Sequence, residues 1–188
     1  LNALDSLVDF YKRLKELEET FDKPHLLGCI ITEGGTAPNI VPDRATLKAT
    51  VRALDTDYLE NVMLPQIKSL AAEVAKDHHT PVETEHYEPL YKNMINNAAL
   101  NVYFIEAFNA LHEEFGVYEE EDAEGSTDVG NVSHVTRAAQ PEIAIGYHIN
   151  AHTPEFATAA NSDFAYIQAL TGAKAMVAVA AEVLFEKR

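Results

Sequence analysis

The sequence predicts a mixed α/β (α+β) chain in two parts, on three observations. An apolar stripe at helical spacing runs through residues 2–22: Leu4, Leu7, Val8, Tyr11, Leu14, Leu17 and Phe21. From Arg44 to Ala53 polar and apolar side chains alternate strictly, the period of a strand with one covered face. From residue 97 onward the order becomes helix, loop, strand, helix, which suits the edge of an α/β layer. A length of 188 residues fits one domain or two small ones, and 47% hydrophobic with 23% charged residues is enough to bury a core.

Each element has a local reason. Asn2 is placed to cap the first helix, and Lys23-Pro24 ends it. Residues 25–33, rich in Leu and Ile, read as a strand broken by Gly34-Gly35. The alternating strand covers 43–53. Asp57 opens a second helix to about Asp77, with Pro65 as a kink. Residues 81–88 read as a third strand with Pro81 at its start. The first half is thus α-β-β-α-β, a ferredoxin-like β-α-β-β-α-β unit without its first strand. A boundary is expected within Pro89–Asn97, giving parts 1–90 and 91–188. In the second part 97–115 is a helix with Leu100, Phe104, Phe108 and Leu111 on one side. Tyr118–Glu124 is a solvated acidic loop, 141–147 a short apolar strand, and 155–187 helical with a break near Asn161-Ser162.

The net charge of −16 opposes a duplex-binding surface, which needs clustered Lys and Arg, and docking on anionic lipid. Nucleic acid and membrane are therefore not expected partners. The best apolar stretch, 175–185, reads as too short to span a bilayer and is followed by Glu186, Lys187 and Arg188. Charge runs throughout residues 1–22, so no signal peptide is expected. The single cysteine, Cys29, excludes an internal disulfide, reads as a small buried hydrophobe, and fits a reducing cytoplasm. The chain opens at Leu1 without Met, which is expected of a piece of something longer.

Three segments carry candidate chemistry. In Thr36-Ala37-Pro38-Asn39-Ile40-Val41-Pro42-Asp43 two prolines hold an exposed turn with Asn39 at its tip. Asn39 either satisfies turn amides or offers its own amide to a ligand. Gly125-Ser126-Thr127-Asp128-Val129-Gly130-Asn131 is either an anion nest or a helix N-cap by Ser126, Thr127 or Asp128. His152, in Tyr147-His148-Ile149-Asn150-Ala151-His152-Thr153-Pro154-Glu155-Phe156, follows a strand and precedes a helix, where a neutral imidazole is either a metal ligand or a cap or surface residue.

Taken in this order, the three segments resemble the C-terminal part of the metal-dependent aminoacylase, carboxypeptidase G and dipeptidase superfamily (peptidase family M twenty). The similarity is greatest to the branch of aminobenzoyl-glutamate hydrolase subunits and Xaa-Arg-type dipeptidases. It extends over essentially the whole chain. The resemblance implies a ferredoxin-like lid that forms a homodimer, residues 1–90, followed by the C-terminal part of a metallohydrolase catalytic domain, residues 91–188. It implies hydrolysis of a dipeptide or N-acyl amino acid by water activated on one or two divalent ions, zinc or else Mn or Co, with a Glu taking the proton.

By that resemblance His152 is a metal ligand, and Asn39 and Arg52 contact substrate. Gly125, Ser126 and Thr127 line the pocket, and Asp128 fixes their turn. No general base or other catalytic residue falls within this sequence; those groups belong to the N-terminal half of the catalytic domain. The run lacks an Arg beside Asp128, a departure that bears on how a carboxylate is held. The alternative reading is a non-catalytic dimerisation or ligand-binding module derived from the family.

Overall fold

The computed structural model describes residues 1–114, 116 and 125–185. The expected acidic loop 118–124, Phe115 and Lys187 lie outside the described residues. Contacts divide the chain into Leu1–Asn93 and Met94–Arg188, inside the Pro89–Asn97 stretch.

In the first unit, helix α1 spans Ala3–Glu18. The Asn2 side chain accepts hydrogen bonds from the amides of Leu4 at 3.0 Å and Asp5 at 3.4 Å, as a cap should. The helix closes before Phe21 because the Thr20 amide and hydroxyl both donate to the Leu17 carbonyl, at 2.9 and 2.7 Å. Strands β1 (His25–Glu33) and β2 (Thr46–Ala53) pair antiparallel with Cys29 opposite Ala49. β2 starts three residues later than the alternation predicts. The register shifts between Ile31 and Glu33, and Thr32 donates its hydroxyl to the Thr46 carbonyl there, so the ladder ends at that point.

The second helix is split. Asp55, not Asp57, caps it by accepting from the Tyr58 amide at 3.1 Å. A short α2 (Thr56–Tyr58) runs through a π-helical turn, Leu59–Met63, into α3 (Leu64–Asp77). Pro65 stands in the first turn of α3, where its missing N–H costs least. The expected proline kink is thus a π turn immediately before the proline. Leu14, Phe21, Leu27, Tyr58, Leu59 and Met63 form the core, with Cys29, Val51 and Ala53 from the covered sheet face packed against it. Across the surface Arg13 of α1 reaches Asp9, Asp77 and Glu73 at 2.9, 3.0 and 3.3 Å, and His78 Nε2 lies 3.0 Å from Asp9. Exposed pairs of this kind add little stability each.

Residues 81–88 are not a strand, so the sheet of this unit has two strands and not the three expected. A strand forms only where a neighbour offers a free edge in register, and this segment pairs with neither β1 nor β2. Pro81 also lacks a ladder donor. The segment touches β2 through a side chain instead: the Tyr87 hydroxyl lies 3.2 Å from Thr50 Oγ1 and 3.5 Å from the Ala49 carbonyl.

The second unit is helical. α4 (Ala98–Ala110), capped by Asn97, packs through Ala107 on Ala175 and Val179 of α7 (Asp163–Phe185), with Leu100, Phe104, Phe108 and Leu111 around them. Two short helices, α5 (Val129–Ser133) and α6 (Pro154–Ala160), precede α7. Ser162 makes the break between α6 and α7. Its hydroxyl donates to the Ala159 carbonyl and accepts from the Ala165 amide. The expected strand at 141–147 does not form: among the described residues of this unit no second strand pairs with it. Ile143 packs on α7 instead: a Cβ on Gly172 would sit 2.1 Å from Ile143 Cδ1. The helix that carries the apolar stretch 175–185 begins at Asp163. α7 has 23 residues, about 35 Å, and by length and composition is long enough to cross a membrane.

Two glycines of the sheet region differ in their tolerance of a side chain. Gly35 has φ +111°, and a Cβ there would lie 2.7 Å from Pro42 Cγ, a ring atom with little freedom to yield. A Cβ on Gly28 would meet no atom within 4 Å. Gly35→Ala is therefore expected to destabilise the first unit by about 1–3 kcal/mol. Gly28→Ala should be within about 0.5 kcal/mol of neutral. Urea midpoints of the two variants check this; equal midpoints would remove the role assigned to Gly35.

The cap at Asp55 adds a pH dependence. The Lys23 ammonium bonded to it at 2.6 Å, and next the Tyr58 amide, hold its carboxyl below the usual carboxylate range. A depressed carboxylate contributes stability above its unfolded pKa of about 3.9, and the contribution is lost as pH falls through the folded value. Asp55→Asn keeps a capping oxygen but no charge. Its thermal midpoint should fall less steeply than that of the parent between about pH 5 and 2. Parallel acid limbs in differential scanning calorimetry would count against the pairing.

Candidate functional site

Each candidate residue is placed by a local device. Asn39 follows Pro38 in an exposed turn closed by the Ile40 amide donating to the Ala37 carbonyl at 3.1 Å. Pro38 presets the first turn position, and Asn39 holds the second without a left-handed backbone. The turn is tied back to the helix layer, since the Ala3 amide donates to the Pro42 carbonyl at 3.0 Å. Arg52 is exposed on β2 opposite Leu26. The Asn39 turn joins the strands at the Glu33–Thr46 end, and Arg52 lies near the other, about 20 Å along the strand. The unit therefore does not bring Asn39 and Arg52 together. Arg44, expected at the start of the alternating strand, lies outside β2 with its Nε 3.5 Å from Glu33.

In the second unit Gly125 and Ser126 are exposed, and Thr127 braces the turn. Its hydroxyl accepts from the Val129 amide at 3.3 Å, and its carbonyl accepts from Gly130 at 3.1 Å. Asp128 occupies the cap position of α5 without a capping side-chain bond, so the bracing expected of Asp128 comes from Thr127. α5 has five residues, too short for the aligned dipole that an anion site needs.

His152 is exposed, with a left-handed backbone at φ +62°. The next residue holds it there. The Thr153 hydroxyl donates to the Asn150 carbonyl at 2.8 Å and accepts from the Phe156 amide at 3.2 Å, capping α6. Left-handed backbone is uncommon outside glycine, and among the described residues histidines adopt it at two helix ends as well, His79 and His112 at φ +55° and +59°. His148, four residues earlier in the same loop, has φ +58°. Sequence reasoning did not single it out; backbone sign leaves no mark on composition beyond the mild tolerance of His for this region. Cys29, half-buried, packs against the core of the first unit, and burial pushes its thiol up, which favours the thiol over the thiolate.

Zinc takes about three or four protein ligands. Among the described residues no group of three or more His, Cys, Asp or Glu side chains is gathered to hold a metal ion. A lone imidazole at His152 could supply one ligand at most, so the described residues do not make up a complete metal site.

Comparison with known proteins places these features. Residues 1–80 match the peptidase dimerisation domain. The chain is 33% identical over 193 residues to a Xaa-Arg dipeptidase of Mus musculus, an alignment covering 99% of this chain and 43% of that protein. It is 31% identical over 189 residues to a Xaa-Arg dipeptidase of Homo sapiens, with the same two coverages of 99% and 43%. The chain thus spans less than half the length of these relatives. The mixed helices and small antiparallel sheet of the first unit agree with the domain matched there, and the chain belongs to peptidase family M twenty, the superfamily of aminoacylases, carboxypeptidase G and dipeptidases.

Proposed function

We propose that this chain is the lid and C-terminal part of a cytoplasmic amide hydrolase that cleaves a dipeptide or an N-acyl amino acid. The ferredoxin-like lid forms a homodimer, and Asn39 and Arg52 reach the substrate from it. Gly125, Ser126 and Thr127 line the pocket, and His152 supplies one ligand of a zinc site completed by residues outside this sequence. The observation that carries the reading is His152. Its imidazole is exposed on a left-handed backbone and held by the Thr153 cap, with no packing role that would require a histidine there.

The test compares two polypeptides: this 188-residue chain, and one of the length of the relatives that contains it. The longer polypeptide is expected to hydrolyse dipeptides or N-acyl amino acids with metal present, and the 188-residue chain to hydrolyse none. Turnover by the shorter chain, or none by the longer one on either substrate class, would overturn the reading. In the second case the alternative, a non-catalytic dimerisation or ligand-binding module, stands.

A further inference from the structure

We propose that the cavity between the π turn with α3 and the 86–90 segment binds an unblocked tripeptide with an apolar middle residue, held by its two charged ends. The cavity belongs wholly to the first unit. None of its residues is among those assigned to substrate or metal above, so the proposal is independent of the hydrolase reading.

The cavity holds about 500 Å³, inside the range of roughly 300–1,000 Å³ typical of small-ligand sites. One wall is helical, with Glu60, Leu64, Pro65 and Lys68. Leu59 and Met63, at the two ends of the π turn, are buried in the core, which leaves half-buried Glu60 on the outer side. The facing wall is the 86–90 segment, charged at Glu88 and apolar at Pro89 and Leu90. Leu64 and Leu90 also pack against the core, so the apolar floor is anchored from beneath. Neither proline has an N–H to present, and the middle of the cavity therefore suits a hydrocarbon side chain.

The ends of the cavity carry the charge. Among the described residues none of Glu60, Lys68 and Glu88 has an ion-pair partner within 4.0 Å, although opposite charges line the one cavity. The helix sequence accounts for this. Lys68 has Leu64 and Pro65 before it and Ala71 and Ala72 after it at pairing distance, and Glu60 has Met63 and Leu64 after it. By contrast Lys12, Arg13, Lys15 and Lys23 each have a carboxylate partner. Glu60 and Lys68 stand about 12 Å apart along the helix, with Leu64 midway. An extended tripeptide spans about 10 Å, and the two side chains close the difference. Its ammonium meets Glu60 and its carboxylate meets Lys68, each as a charge-assisted pair, while its middle side chain lies over Leu64 and Pro65. A dipeptide, at about 7 Å, reaches one end only. An acylated or amidated peptide lacks one of the two charges.

Heteronuclear NMR titration of the full 188-residue chain tests this with four probes: Ala-Phe-Ala, its N-acetyl form, its C-terminal amide, and the dipeptide Ala-Phe. Ala-Phe-Ala is expected to shift the amides around residues 60–68 and 86–90 and to bind about fivefold tighter than each of the other three. Glu60→Gln should abolish the preference over the N-acetyl form and keep the preference over the amide. Lys68→Gln, at an exposed position where folding is not at stake, should do the reverse. Equal affinities for the four probes, shifts confined to other residues, or no shifts at all would overturn the proposal. So would a Lys68→Gln variant that weakened the acid and the amide alike.

Discussion

Replacing His152 by alanine in a polypeptide of the relatives' length is expected to lower metal content and turnover together. Loss of a metal ligand should weaken metal binding by about 100-fold or more, since groups that merely orient a ligand are worth about 10–100-fold. Alanine also has to adopt the left-handed backbone at φ +62°, which costs about 1–2 kcal/mol on its own. The informative comparison is therefore His152→Asn. Asparagine tolerates that backbone and keeps the approach to the Thr153 cap, but offers no imidazole. Both variants should lose metal by atomic emission and activity by steady-state kinetics, with His152→Asn keeping the parental thermal midpoint. Full metal stoichiometry and normal turnover in His152→Asn would make the residue a turn former and nothing more.

Leu14→Ala is expected to cost about 2–5 kcal/mol, the range for truncating a fully buried leucine. Leu14 has no exposed surface and belongs to the core cluster with Phe21, Leu27, Tyr58, Leu59 and Met63, so little around it is free to collapse into the space left. Val8 on the same helix is 50% exposed, and Val8→Ala should change stability by no more than about 0.5 kcal/mol. Hydrogen exchange of the β1 and β2 amides reads the Leu1–Asn93 unit without reference to the helical unit. Protection in Leu14→Ala that matched Val8→Ala would mean that the core is organised around other residues.

The parts of this fold legible in the sequence were those set by local periodicity. The α1 stripe and the β2 alternation each repeat often enough to fix which side is covered, and Asn2 marked its helix start because a capping side chain acts within three residues. What stayed hidden was non-local. Residues 81–88 and 141–147 have strand-like composition, yet a strand exists only where another strand offers a ladder, and nothing within a seven- or eight-residue window reports that. The site shows the same split. Asn39 was legible as a turn tip because flanking prolines are a local signal. The left-handed backbone at His148 and His152 and the approach of Tyr87 to β2 depend on torsions and contacts that composition does not encode.

The π turn at Leu59–Met63 fixes where this protein tolerates changes of chain length. A π turn holds one residue more than the α-helical turn it replaces, so deleting one residue there would make the helix continuous from Thr56 to Asp77. The shortened helix would set the Pro65 ring against the carbonyl four residues before it. It would also rotate α2 by about 100° relative to α3, swinging Tyr58 and Leu59 away from Leu14 and Met63. The extra residue is thus held by a proline on one side and a core on the other. Length variation among related chains should collect instead in the exposed stretch between the paired strands, residues 34–45, where an added residue moves no helix face.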